Sequence, residues 1–432
     1  MPMTTNRITA AWQCICAHGY KGLLLSAIML CSCHAPEHSS NSPATTAELF
    51  ISLPQKIPYR IPAITQTKRG RIIAVADYRY CGFDIGFGRI DLHARLSDDN
   101  GKTWEKEQVI AKGSGIKGSN DCGFGDATLI ADNNSNTVLL LCVRGNTVYT
   151  APTTTRKNPN RVARMYSYDG GTTWSQPEEI TENIYSLFDS CSKGTVESLF
   201  VGSGKMLQSS QIKTGTAKRI YAALCARPNG NRVIYSDDFG KTWNILGTAE
   251  DFPAPKGDEP KCAELPNGDV LLSSRAGNGR IFNIFKYTKG DKQKGSWCKS
   301  AFSSAKENGI NAEGNSCNGG ILIIPVKRCS DGKKVHLLLQ SVPFGKGRTN
   351  VGIYYKPLIN ESDYATPEAI AANWEGRFQC SNKGSAYSEL ILQKNNTIGF
   401  LFEESTHQAD YTIVYKQLTI EQITGGRYSL RK

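Results

Sequence analysis

Three arginines stand in strand-like surroundings far apart in the chain: Arg60 in YRIPAI, Arg275 in LLSSRAG and Arg348 in GRTNVGIYY. A guanidinium offers rigid paired donors that match the two oxygens of a carboxylate. Three of them around one point would clamp an acidic ligand, although each alone reads as a surface residue. Pro62 fixes a strand start beside Arg60. The acids are just as dispersed. Asp84 lies in the glycine-rich stretch ADYRYCGFDIGFGRIDL between Asp77 and Asp91, and any of the three would serve as a proton donor. Glu259 and Glu264 share the segment DEPKCAELPNGDVLLSSR that ends at Arg275. Tyr387, in KGSAYSELIL, reads alone as a core strand tyrosine. Its hydroxyl becomes a nucleophile only beside a base. No cysteines pair as C-x-x-C, so a zinc site is not indicated. Groups so far apart act together only if the fold gathers them.

The element that gathers them is repetitive. The octets SDDNGKTW, SYDGGTTW and SDDFGKTW start at Ser97, Ser167 and Ser236, and all obey S-x-D-x-G-x-T-W. A near-constant period of about 70 residues marks an array of supersecondary units. Asp and Gly favour a tight turn, and Thr and Trp suit the start of a strand. Strand-like stretches (IDLHARLS, VARMYSYD, NRVIYSDD) precede the copies. Each octet is therefore expected to be a hairpin turn pinned by its Asp and a packed Trp, which makes Asp99, Asp169 and Asp238 structural. YTKGDKQKGSW, ending at Trp297, reads as a degenerate fourth copy. The body beyond Ala47, divided by the period, gives roughly six units. The expected fold is all-β, a six-bladed β-propeller of four-stranded antiparallel blades. Helical patterns are rare, and PEAIAANW and TIEQIT are the best candidates.

The octets resemble the Asp box of β-propeller proteins, and YRIPAI resembles the YRIP/FRIP motif of the bacterial sialidases (neuraminidases). From about Leu49 to the C-terminus the further motifs follow in that family's order. The resemblance implies an arginine triad, Arg60, Arg275 and Arg348, around the carboxylate of a sialic acid. It implies Asp84 as acid/base, Tyr387 as nucleophile and Glu259 as its partner. Arg79 would line the carboxylate pocket, Asp126 in GFGDATLI would lie near the 4-hydroxyl, and Glu403 in IGFLFEE would brace Arg60, with Glu404 its rival. The implied activity is that of an exo-α-sialidase, with no cofactor, acting as a monomer on sialylated glycans. A trans-sialidase and a non-catalytic sialoside-binding propeller are the alternatives. An intact fourth Asp box and a lectin-like insertion are missing from the pattern.

Residues 1–33 read as a signal peptide: Lys21 precedes the apolar run GLLLSAIML, too short to span a bilayer. LCSC resembles a lipoprotein box with Cys33 as the lipidated residue, so membrane attachment through Cys33 is expected beside plain secretion. Residues 34–48 read as a linker and 49–432 as the catalytic propeller. The expected location is the periplasm, outer membrane or surface of a bacterium, or the medium. The chain carries 14 cysteines, of which Cys14, Cys16, Cys31 and Cys33 fall in the leader. The rest are scattered enough to read as small buried hydrophobes with few or no disulfides. The net charge of +12 comes with no nucleic-acid motif and no dense basic tract.

Overall fold

The computed structural model describes residues 45–430, so the leader readings, Cys33 among them, lie outside the described residues. Six small sheets account for the body. Blade 1 is built from Tyr59–Gln66, Ile72–Tyr78, Asp91–Ser97 and Gln108–Ala111. Blade 2 runs from Gly123–Ala131 through Val138–Gly145 and Arg161–Ser167 to Glu178–Glu179. In blade 3, Ser198–Val201 and Leu207–Thr214 both pair with Ala217–Arg227, which continues into Gly230–Ser236 and Asn244–Ile245. Blade 4 comprises Pro260–Glu264, Val270–Ala276, Gly279–Thr288 and Asp291–Trp297. Blade 5 comprises Ile321–Arg328, Lys334–Gly345, Thr349–Leu358 and Gly376–Gln379. Blade 6 takes Ser385–Leu392, Ile398–Thr406 and Ala409–Leu418, and Thr46–Phe50 from the start of the body supplies its outer strand. That last pairing closes the ring, with Leu49 and Phe50 buried.

The six-bladed propeller expected from the repeat is the fold observed. Four sheets carry a fifth strand, short in blades 2, 4 and 5, among them Gly204–Lys205, which lies parallel to the inner strand of blade 2. The first strands of the blades pack side by side at the centre, and apolar side chains fill the gaps between blades. The ten cysteines of the described residues are all unpaired.

Each octet forms the turn between the third and fourth strands of its blade. Asp99 accepts from Ser97 Oγ (2.9 Å), the Thr103 amide (2.9 Å) and Thr103 Oγ1 (2.6 Å). Asp169 and Asp238 make the same three bonds. The glycines at Gly101, Gly171 and Gly240 hold φ of +85, +92 and +85°, a region only glycine enters freely. A Cβ at Gly101 would strike Tyr415 of blade 6, one at Gly171 Ile73 of blade 1, and one at Gly240 Leu139 of blade 2. Each box therefore also seats its blade against the preceding one. YTKGDKQKGSW, expected as a degenerate fourth copy, forms no Asp box: the turn of blade 4 is shorter, Asp291–Trp297 is itself the fourth strand, and Trp297 at its end donates Nε1–H to Leu246 O beside blade 3 at 2.9 Å.

Candidate active site

In an antiparallel blade the start of the first strand and the end of the second lie at the same end. Arg60, Tyr387 and Asp126 stand near the starts of the inner strands of blades 1, 6 and 2, and Glu259 directly precedes that of blade 4. Arg275 is near the end of blade 4's second strand, and Glu403 is on that of blade 6. Arg79 follows the second strand of blade 1, and Arg348 precedes the third of blade 5. The chain thus delivers all of them to one face of the ring.

The inner strands are distorted where these residues sit. Pairing slips between Arg60 and Ala63, between Gly125 and Thr128, and between Ser385 and Ser388. Ile61, Asp126 and Arg348 hold φ of +59, +55 and +64°. For a β-branched residue such as Ile61 this is an outlier, and bulges of this kind re-aim side chains next to functional sites.

The centre is Tyr387. Its buried hydroxyl donates a short hydrogen bond to Glu259 Oε1 and accepts one from Arg275 Nη1 at 3.0 Å. Arg275 Nη1 also lies 2.8 Å from Glu259 Oε2, and Arg275 Nε donates to Ser316 Oγ at 3.0 Å. The guanidinium carbons of Arg60 and Arg348 each stand 5.7 Å from the centre of the Tyr387 ring. The three arginines therefore converge on one tyrosine. Burial raises the Glu259 carboxyl above its ordinary range, against the pull of Arg275. Burial, and then the charge of Glu259, hold the Tyr387 hydroxyl well above its ordinary value.

Glu403 is fully buried and ties the inner strands together. Its Oε1 accepts from Arg60 Nε (2.7 Å) and the Ile61 amide (2.8 Å), and its Oε2 from Arg60 Nη2 (3.3 Å) and the Tyr387 amide (3.0 Å). Burial opposes the charge of Arg60, but Glu403 outweighs it and the guanidinium holds its proton more tightly than usual. Glu404, the sequence rival, pairs instead with Lys383 at 3.1 Å.

The acids on blades 1 and 2 form a second cluster around buried Arg79. Its Nη2 stands 3.0 Å from Asp77, 3.2 Å from Asp84 and 3.9 Å from Asp126. The three sequence candidates for the proton donor differ in access. Asp77 is sealed beneath Arg79, and burial pushes it up to about 7. Asp91 is buried between Arg89 and the Gly113 amide. Asp84 keeps 62% of its side chain exposed. Burial, then the charges of Asp84 and Asp77, raise Asp126 well above its ordinary value. Glu264 is occupied elsewhere, accepting from Ser209 and Ser210.

Sequence reasoning missed three neighbours. Asp258 Oδ2 lies 3.4 Å from Arg275 Nε and Oδ1 accepts the Glu259 amide; its place in DEP beside Glu259 was the available signal. The Tyr411 ring lies under Arg60, 4.8 Å from the guanidinium carbon, and Cys317 packs with Ile61, Ala386 and Tyr387. Neither has a signal in the sequence. Among the described residues no cluster of acids, histidines or cysteines is built to hold a metal ion.

Comparison with known proteins adds a lineage. The BNR/Asp-box repeat model matches residues 95–106 and 234–244. A sialidase of Micromonospora viridifaciens is 32% identical over 231 residues, 50% of this chain and 32% of that protein. The chain thus spans about a third of that relative's length. A sialidase of Clostridium perfringens is 26% identical over 373 residues, 84% of this chain and 88% of that protein. Among solved structures, the intramolecular trans-sialidase from Ruminococcus gnavus superposes with a TM-score of 0.65 at 17% identity, covering 88% of this chain and 98% of that one. That likeness is one of fold.

Proposed function

We propose that this member of the Asp-box sialidase family is an exo-α-sialidase that hydrolyses terminal α-linked sialic acids from glycoproteins, glycolipids and oligosaccharides with retention at the anomeric carbon. The observation that carries the reading is the hydrogen bond from Tyr387 to Glu259, held in place by Arg275.

Arg60, Arg275 and Arg348 take the substrate carboxylate, which sits on the anomeric carbon itself. A carboxylate nucleophile there would approach a like charge, whereas a tyrosine hydroxyl is neutral until deprotonated. In the first step protonated Asp84 gives its proton to the departing glycosidic oxygen. Tyr387 oxygen bonds to the anomeric carbon as its own proton passes to Glu259. In the second step Asp84, now a carboxylate, takes a proton from water. The water oxygen bonds to the same carbon, and the Tyr387 oxygen leaves and recovers its proton from Glu259. Two inversions give net retention, the sialidase variant of the two-carboxylate scheme. Asp126 and Arg79 shape the wall beside Asp84. The leader reading belongs to the same proposal: export through residues 1–33, with Cys33 as the lipidation point.

The test is a 3-fluoro sialosyl fluoride, which loses its C2 fluoride to form the first intermediate and stalls before the second step. The expected result is a sialosyl mass increase on the proteolytic peptide that contains Tyr387. An adduct on the Asp84 or Glu259 peptide refutes the nucleophile. Failure of the pure protein to release a fluorogenic aglycone at any pH refutes the activity. Product analysis with added lactose separates hydrolysis from transfer.

A further inference from the structure

The loop that carries Asp84 displays two aromatic rings that the reaction scheme leaves without work. It is closed by Cys81 N–H to Arg89 O (3.3 Å) and turned by Phe87 N–H to Asp84 O (3.3 Å). Ile85 anchors it, buried among Val143, Phe200 and Cys225. Gly86 presses so closely on blade 2 that a Cβ would fall 2.6 Å from the Val148 amide nitrogen. The residues on either side of this anchor point outward. Phe83 is 67% exposed, Phe87 is 58% exposed, and their ring centres lie 5.6 Å apart. Burying a phenylalanine is worth about 1.5–3 kcal/mol, and exposed apolar patches commonly mark binding sites. The two rings belong to the same turn as Asp84, one at the residue before it and one at the residue whose amide bonds its carbonyl.

The place of the pair decides what it would meet. A general acid lies against the glycosidic oxygen, on the leaving-group side of the scissile bond. Arg60, Arg275 and Arg348 gather around Tyr387, whereas Asp84 stands in the separate cluster around Arg79. A pyranose presents a face of C–H bonds, and flat aromatic faces pack against it. We propose that Phe83 and Phe87 form the platform for the sugar that carries the sialic acid, so that the enzyme selects substrates with a pyranose at that position over those with a small alkyl aglycone. The proposal rests on the sialidase reading above and on Asp84 as its acid.

The experiment compares kcat/KM for 3′-sialyllactose with kcat/KM for the methyl α-sialoside, in the full chain. The ratio of the two isolates the leaving-group sugar, because the sialic acid is common to both. In the Phe83→Ala/Phe87→Ala variant the ratio falls about tenfold or more, a sugar covering one face of each ring and so recovering only part of the energy of full burial. In the Phe83→Tyr/Phe87→Tyr variant it returns to within about twofold of wild type, since the ring faces are kept. An unchanged ratio in the alanine variant, whatever its absolute rates, overturns the platform. So does an equal loss of ratio in the tyrosine variant. Wild-type protein inert toward both substrates overturns the sialidase reading instead, and this inference falls with it.

Discussion

Glu403→Gln is the sharpest test of how the site is held together. The replacement keeps shape and volume, so it isolates charge and hydrogen bonding. Glu403 is fully buried and accepts four hydrogen bonds, from Arg60 Nε and Nη2 and from the amides of Ile61 and Tyr387. An amide has one accepting oxygen. If it takes the place of Oε1 it keeps Arg60 Nε and Ile61, and its NH₂ then faces two donors, Arg60 Nη2 and the Tyr387 amide. Breaking a buried ion pair from one side costs about 3–5 kcal/mol. Arg60 keeps 22% of its side chain exposed, so water recovers part of its solvation and the lower end, ~3 kcal/mol, is expected. The assay is urea unfolding followed by tryptophan fluorescence, with kcat/KM measured alongside. Because the same carboxylate fixes Arg60 and the Tyr387 backbone, kcat/KM is expected to fall about a hundredfold, equivalent to ~2.7 kcal/mol in the barrier. The control is its neighbour. Glu404→Gln removes a pair whose lysine is 51% exposed, and costs less than ~1 kcal/mol. A Glu403→Gln protein within ~0.5 kcal/mol of wild type and within threefold in kcat/KM refutes the claim that this carboxylate holds the inner strands in register.

Three further outcomes are expected. Arg348 is in no ion pair among the described residues, so Arg348→Ala leaves the melting temperature nearly unchanged while kcat/KM drops by the roughly 2–5 kcal/mol of a lost charged contact; a large fall in melting temperature contradicts this. Asp99→Ala removes three bonds of an exposed turn and costs ~1–2 kcal/mol in urea unfolding with kcat/KM intact. In the proposed reaction Glu259 must be ionised to take the tyrosine proton, and the pH profile follows from that. Burial raises its pKa, so the base form is lost early as pH falls, and kcat/KM declines on the acid side through a value above the usual carboxylate range. A profile still level at about pH 4 is incompatible with Glu259 as the base.

Much of this architecture was legible because its signals are local. Turn chemistry is written in four or five adjacent residues, and Asp99 satisfies its own loop without help from afar. The period of the octets then counts the blades, and runs of β-branched and aromatic residues mark strands such as Ile72–Tyr78 and Ala409–Leu418. The fifth strands were not legible, since a two-residue parallel pairing such as Gly204–Lys205 leaves no pattern. The site divides the same way. Its members were named through family resemblance, because nothing in the spacing of Arg60 and Tyr387 says that they meet. Asp77 shows the limit: in sequence it rivals Asp84, and only burial beneath Arg79 separates the two. Tyr411 and Cys317 reach the site by packing across blades, which no single segment encodes.

The distortions at the inner ends of the strands explain why a regular propeller alone would not give this site. In an undistorted strand backbone amides lie in the plane of the sheet while side chains alternate between its two faces, so the Ile61 amide and the Arg60 side chain would not both address Glu403. The slip after Arg60 and the positive φ of Ile61 break that geometry, and the Arg60 side chain and the Ile61 amide both reach the same carboxylate oxygen. The slip between Ser385 and Ser388 does the same for Tyr387, whose amide meets Glu403 while its hydroxyl meets Glu259. Conformations of this kind cost on the order of 1–3 kcal/mol each and persist only where surrounding contacts over-determine them. Glu403 supplies those contacts for two strands at once. The Arg60 side chain and the Tyr387 backbone are therefore set by one buried carboxylate, and their positions should be lost together rather than one by one.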